Sequence, residues 1–119
     1  MTSDDAARPA PGTALARLDD IADPGAVVLD FTAGVARFSL ILARRESQVF
    51  GYLNRCPHAR YPLERADGAV LLDEGRYLIC AAHAASFRLQ TGACVGGPAA
   101  GKSLTRFGVR VVAGVIYAA

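Results

Sequence analysis

From position 14 the apolar residues come in short runs separated by Gly, Pro, Asp and Ser. This is a pattern of strands and turns, without the 3.6-residue recurrence of amphipathic helices. Residues 26–31 form one apolar run, ended by Thr32-Ala33-Gly34. Residues 35–43 form the next, in which Phe38, Leu40 and Leu42 are spaced by two and therefore share one face of a strand. A hairpin turn is expected at 44–47 and a returning strand at 48–53. Farther along, 70–72 and 76–79 predict strands around Asp73-Glu74-Gly75, and 86–89 and 93–95 flank Gln90-Thr91-Gly92. Strands at 102–107, 109–112 and 115–117, the last two joined by an Ala113-Gly114 turn, close the pattern. One helical turn is expected near 18–22, just before Asp23-Pro24-Gly25. The class predicted is all-β.

Composition adds bounds. A chain of 119 residues with 52% hydrophobic and 20% charged residues suits one soluble globular domain with a modest core. No apolar run approaches the roughly 20 residues of a membrane span. Residues 1–13 read as a flexible end, with Asp4 and Asp5 where a signal peptide would carry positive charge, so a cytoplasmic location is expected. The three cysteines are an odd number, which also suits a reducing compartment.

The chemistry is concentrated in two short segments. Cys56-Pro57-His58 and Cys80-Ala81-Ala82-His83 hold both histidines of the chain and two of its three cysteines. Thiolate and imidazole bind soft and borderline transition metals, so the two clips offer four ligands: Cys56, His58, Cys80 and His83. Residues 59–79 separate them. A zinc finger usually pairs Cys with Cys and His with His, whereas each clip here mixes the two. The remaining candidate, Cys94, reads as a buried small hydrophobe beside Val95.

C-P-H, this gap, C-x-x-H with Ser86-Phe87 after it, and the downstream Gly96-Gly97-Pro98 resemble the cluster-binding segments of Rieske 2Fe-2S proteins, most closely the small soluble Rieske-type ferredoxins. The resemblance runs over about 14–119. It implies an antiparallel β sandwich or barrel as a base, from 14–53 and 102–119, with a cluster-binding subdomain, 54–101, inserted. It also implies one 2Fe-2S cluster per chain, with Cys56 and Cys80 on one iron and His58 and His83 on the other. Each histidine would keep its second ring N–H at the surface. The function implied is one-electron transfer between a reductase and a terminal oxygenase or similar enzyme. Both histidines being used, no mononuclear iron triad can be built, and substrate conversion by this chain is not expected.

Departures from the family pattern carry expectations of their own. The respiratory branch braces its two loops with a disulfide, at positions held here by Tyr61 and Ala82. It also donates hydrogen bonds to the cluster from a serine and a tyrosine, at positions held here by Ala85 and Phe87. Fewer donors stabilise the reduced state less, so the potential is expected toward the low end of the roughly −150 to +300 mV Rieske range. Arg60 and Ala84 occupy positions that are commonly Gly in the family, where a positive φ would cost on the order of 1 kcal/mol.

Two other features bear on partners. Residues 96–103 match the phosphate-loop pattern G-x-x-x-x-G-K-S, but that motif needs a helix directly after it, and 104–117 is rich in β-branched residues. No nucleotide is therefore expected. Net charge is −4 over 1–31 and +6 over 32–119. Arg55, Arg60, Arg65, Arg76 and Arg88 lie in sequence near the clips or on the connecting loop, which suggests an acidic face on a redox partner. Aromatics do not interleave with these arginines, so nucleic acid is not expected. Two alternatives use the same residues: a structural zinc module, and an accessory or binding protein that keeps the fold without a redox role.

Overall fold

The computed structural model describes residues 6–57, 61–82 and 84–119. It contains eleven strands: β1 (Ala14–Arg17), β2 (Gly25–Ala33), β3 (Ala36–Arg45), β4 (Gln48–Leu53), β5 (Leu71–Asp73), β6 (Tyr77–Ile79), β7 (Ser86–Arg88), β8 (Cys94–Gly96), β9 (Arg106–Phe107), β10 (Val109–Val112) and β11 (Val115–Ala118). They make three antiparallel sheets, ordered β1-β11-β10, β2-β3-β4-β9 and β5-β6-β7-β8. A 3-10 turn, Leu18–Asp20, lies where the sequence predicts a helical turn.

The long β2-β3-β4 meander is the frame. Val35 is left exposed in its first turn, and β2 pairs with β3 along its full length, from Gly25 opposite Arg44 to Ala33 opposite Ala36. Alternation along β3 then sends Phe38, Leu40 and Leu42 to one side and Ile41 and Ala43 to the other. Both sides are buried. The first group packs with Ile116, Ala118 and Phe107 beside the β1-β11-β10 sheet. The second packs with Tyr52, Leu78, Phe87 and Leu89 beside the β5–β8 sheet. The shared face expected for Phe38, Leu40 and Leu42 is therefore correct, but β3 has no solvent face because a sheet covers each side.

Several boundaries differ from those read off the sequence. The β3-β4 turn shrinks to Glu46-Ser47, because Arg44 and Arg45 pair with Val49 and Gln48 as ladder residues. Arg44 also braces the 3-10 turn, since its Nη1 donates to the carbonyls of Leu18 and Ile21 at 3.1 and 2.9 Å and satisfies acceptors left over there. The strand expected over 102–107 reduces to β9 and one bridge from Ser103 to Ala93. Within the stretch expected to be a flexible end, Ala7 is buried. The Arg8 guanidinium stands over the rings of Phe38 and Phe107, at 5.2 and 4.8 Å from their centroids.

Candidate metal centre

The two clips grow from neighbouring strand ends. β4 leads through Leu53 to Cys56, and β6 leads through Ile79 to Cys80. Each cysteine closes a loop of the same span: the Cys56 N–H donates to the Tyr61 carbonyl at 2.7 Å, and the Cys80 N–H to the Ala85 carbonyl at 2.9 Å. The loops are tied together by the Ala81 N–H, which donates to the Leu63 carbonyl at 3.1 Å. Both cysteines are fully buried, in one apolar cluster with Leu63, Ala85, Phe87 and Ala99, and neither is in a disulfide. His58, His83 and Arg60 lie outside the described residues.

The Gly-Gly-Pro segment supplies a third wall. Gly97 has φ of +88°, and a Cβ there would stand 2.9 Å from the Ala85 Cα and 3.3 Å from the Ala84 carbonyl oxygen. Only glycine allows this backbone to lie so close on the second clip. Ala84, one of the two positions questioned in the sequence, does take a left-handed conformation, at φ +59°. The G-x-x-x-x-G-K-S match continues into turns, with the Ala100 N–H bonded to Gly97 and the Lys102 N–H to Ala99, and then into the Ser103 bridge. No helix follows it among the described residues.

Asn54 is the residue that sequence reasoning missed. It is the one buried polar side chain in the described core, and every arm of it is used. Its Nδ2 donates to Ser39 Oγ at 3.0 Å and to Glu64 Oε1 at 2.7 Å, while its Oδ1 accepts the Leu63 N–H at 2.8 Å. The Leu63 peptide thus receives Asn54 on one side and gives its carbonyl to the second clip on the other. A signal was available: an Asn between a strand end and a cysteine is a turn-forming residue able to bond nearby backbone.

Among the described residues around the clips, Tyr61, Pro62, Ala81, Ala82, Ala84 and Pro98 are exposed and uncharged, and Arg55, directly before Cys56, is exposed and charged. Of the arginines expected beside the clips, Arg55 stays exposed next to Cys56, whereas Arg65, Arg76 and Arg88 are dispersed. Arg65 pairs with Asp67 at 2.9 Å on the connecting loop. Arg76 and Arg88 sit at the end of the β6-β7 ladder away from Cys80, because Tyr77 faces Arg88 there while Ile79 faces Ser86 next to the clip. Cys94 is half-buried and not fully enclosed, its Sγ–H donating to the Gly96 carbonyl at 3.2 Å.

Two buried thiols at the bases of two tied loops, walled by a glycine backbone, sit within an all-β scaffold. The chain belongs to the Rieske 2Fe-2S domain family, whose model matches residues 14–113. Solved structures agree in fold. The ferredoxin of carbazole 1,9a-dioxygenase from Nocardioides aromaticivorans IC177 is similar at 23% identity, covering 92% of this chain and 98% of that one, with a TM-score of 0.73. A complex of reduced oxygenase and oxidized ferredoxin in carbazole 1,9a-dioxygenase matches at 22% identity, 90% and 100% coverage, and TM-score 0.73. The Sphingomonas yanoikuyae B1 ferredoxin matches at 20% identity, 90% and 96% coverage, and TM-score 0.67. No curated protein matches the chain. Among the described residues no helix is long and apolar enough to cross a membrane.

Proposed function

We propose that this chain is a one-electron carrier of the ferredoxin type, holding one Rieske 2Fe-2S cluster and exchanging electrons with a reductase and a terminal oxygenase. The observation that carries the reading is the pair of wholly buried cysteines, Cys56 and Cys80, brought from separate loops into one apolar cluster. Buried thiols without a disulfide fit the donor set a Rieske centre needs. Cys56 and Cys80 would bind one iron, and His58 and His83 the other. When bound, such a centre supplies a reversible one-electron couple whose potential is raised by imidazole ligation.

The chain's own residues determine how that couple is used. Leu63, Phe87 and Ala99 exclude water from the cysteine side of the site. Asn54 and the Ala81–Leu63 bond hold the two clips in register. Ala85 and Phe87 are fully buried and carry no side-chain donor, which is why a potential toward the low end of the family range is expected. Tyr61, Pro62 and the alanines offer a largely apolar surface that a partner can approach closely, with the exposed Arg55 as a charged neighbour. Complexes of oxygenase and ferredoxin among the structural neighbours support an oxygenase as that partner. No substrate-converting role is proposed.

The test is visible absorption and EPR of the purified protein, as isolated and after dithionite. Broad visible bands that bleach, with a rhombic signal of average g below about 2 on reduction, are expected from a centre with mixed thiolate and imidazole ligation. A colourless, EPR-silent protein that stays so after anaerobic reconstitution with iron and sulfide overturns the proposal and leaves zinc or a cluster-free accessory role.

A further inference from the structure

Three arginines meet at a place unrelated to the clips. Arg45 ends β3, Arg76 precedes β6, and Arg88 ends β7. Together with Tyr77, Leu89 and Gln90 they line a concavity of about 120 Å³. The placement follows from the ladders. Arg88 is opposite Tyr77, and the Leu89 N–H donates to the Arg76 carbonyl at 2.9 Å, which gathers both arginines at one end of the β5–β8 sheet. Arg45 is opposite Gln48 in the neighbouring sheet, at the end of the β3-β4 hairpin away from Cys56.

No residue lining this concavity carries a carboxylate. Among the described residues none of the three guanidinium groups has an ion pair or a hydrogen bond, whereas Arg44 and Arg106, their neighbours in sequence or space, are both engaged with backbone carbonyls. Three like charges lining one small space repel one another, and no carboxylate lines it with them. Tyr77 and Gln90, two residues with side-chain donors, line the same space. Guanidinium forks match the oxygen spacing of phosphate and can bond it in pairs. A concavity of about 120 Å³ has room for one such group.

We propose that Arg45, Arg76 and Arg88 form a binding site for a single phosphate group, either free or as the monoester end of a small molecule. The site joins two sheets, so its occupation ties the β3-β4 hairpin to the far end of the sheet that bears the second clip. It lies at the end of both ladders opposite the clips, which leaves the rim around Cys56 and Cys80 open while phosphate is bound. Phosphate binding there does not depend on the chain being an electron carrier.

The test is calorimetric titration of the full chain with orthophosphate and, separately, with AMP, at ionic strength held constant with sodium chloride. The Arg88→Gln and Arg45→Gln variants are measured beside Arg110→Gln as a control on the β10 surface. Saturable binding that weakens about tenfold or more in R88Q and in R45Q, the loss of one charge-assisted contact, and that is unchanged in R110Q, is the expected result. Tighter binding of orthophosphate assigns the site to the free ion, and tighter binding of AMP to a monoester. Absence of saturable heat with both probes, or equal weakening in R110Q, overturns the proposal. Circular dichroism of each variant separates loss of binding from loss of fold.

Discussion

The β2-β3-β4 frame and the clip region hold their shapes by different means. In the frame, order comes from burial: Leu40, Ile41, Leu42 and Ala43 are consecutive and wholly enclosed. Burying one large aliphatic side chain contributes about 1.5–3 kcal/mol. In the clip region the strands are three residues each, and single backbone bonds, one asparagine and one glycine contact set the loops around a smaller apolar cluster. Polar bonds of defined direction set the geometry of these loops.

That contrast can be broken from either side. The largest effect is expected from Leu40→Ala in the frame, a loss of about 2–5 kcal/mol measured by urea denaturation, with the metal centre lost only when the whole chain unfolds. Asn54→Ala should cost about 2–3 kcal/mol, because the Leu63 N–H is left buried without an acceptor. Its distinguishing mark is faster loss of bound iron at temperatures where circular dichroism still reports folded protein. If iron release and unfolding shift together, Asn54 acts on the whole fold and the contrast fails.

Tyr52 sharpens the comparison because it belongs to the frame and reaches toward the clip sheet. Its hydroxyl donates to the buried Leu89 carbonyl at 2.7 Å. Burial pushes its pKa up, an effect partly opposed by Arg106. A phenol whose folded pKa exceeds the unfolded value of about 10 contributes stability that is complete below that pH and is lost as pH climbs through the folded value. Tyr52→Phe should therefore lower stability by about 1–2 kcal/mol at neutral pH and flatten the alkaline part of the stability profile. An unchanged alkaline slope would show that Tyr52 is not the group responsible. The smallest effect is expected from Ala84→Gly, which relieves a left-handed alanine and gains up to about 1 kcal/mol in thermal denaturation.

The sequence revealed much of the frame because its signals are local. Spacing by two in Phe38, Leu40 and Leu42 fixed a strand face, and Gly, Asp and Ser marked the turns. The clips were visible because their residue types are rare in this chain and stand close together. What escaped depended on register between distant strands. Asn54 matters through Ser39, Leu63 and Glu64, and no spacing rule brings Ser39 to it. Arg76 and Arg88 look close to the second clip in sequence, yet the β6-β7 pairing carries both to the opposite end. The short β1 and its pairing with β11 escaped for the same reason. Nothing in four residues near the start of the chain indicates a partner near its end.

One strand belongs to both cores. Because β3 walls the apolar cluster on each of its sides, neither core can be exposed to solvent without dismantling the other. Amide protons at positions 40–43 should accordingly exchange with deuterium only through complete unfolding, and all at one rate. The Cys56, Cys80 and Ala81 amides, each in a single backbone bond outside the ladders, should instead exchange through local opening. Deuterium exchange should thus divide the molecule into a body that opens as one unit and clip amides that open one at a time, with the boundary at the short run from Leu53 to Cys56.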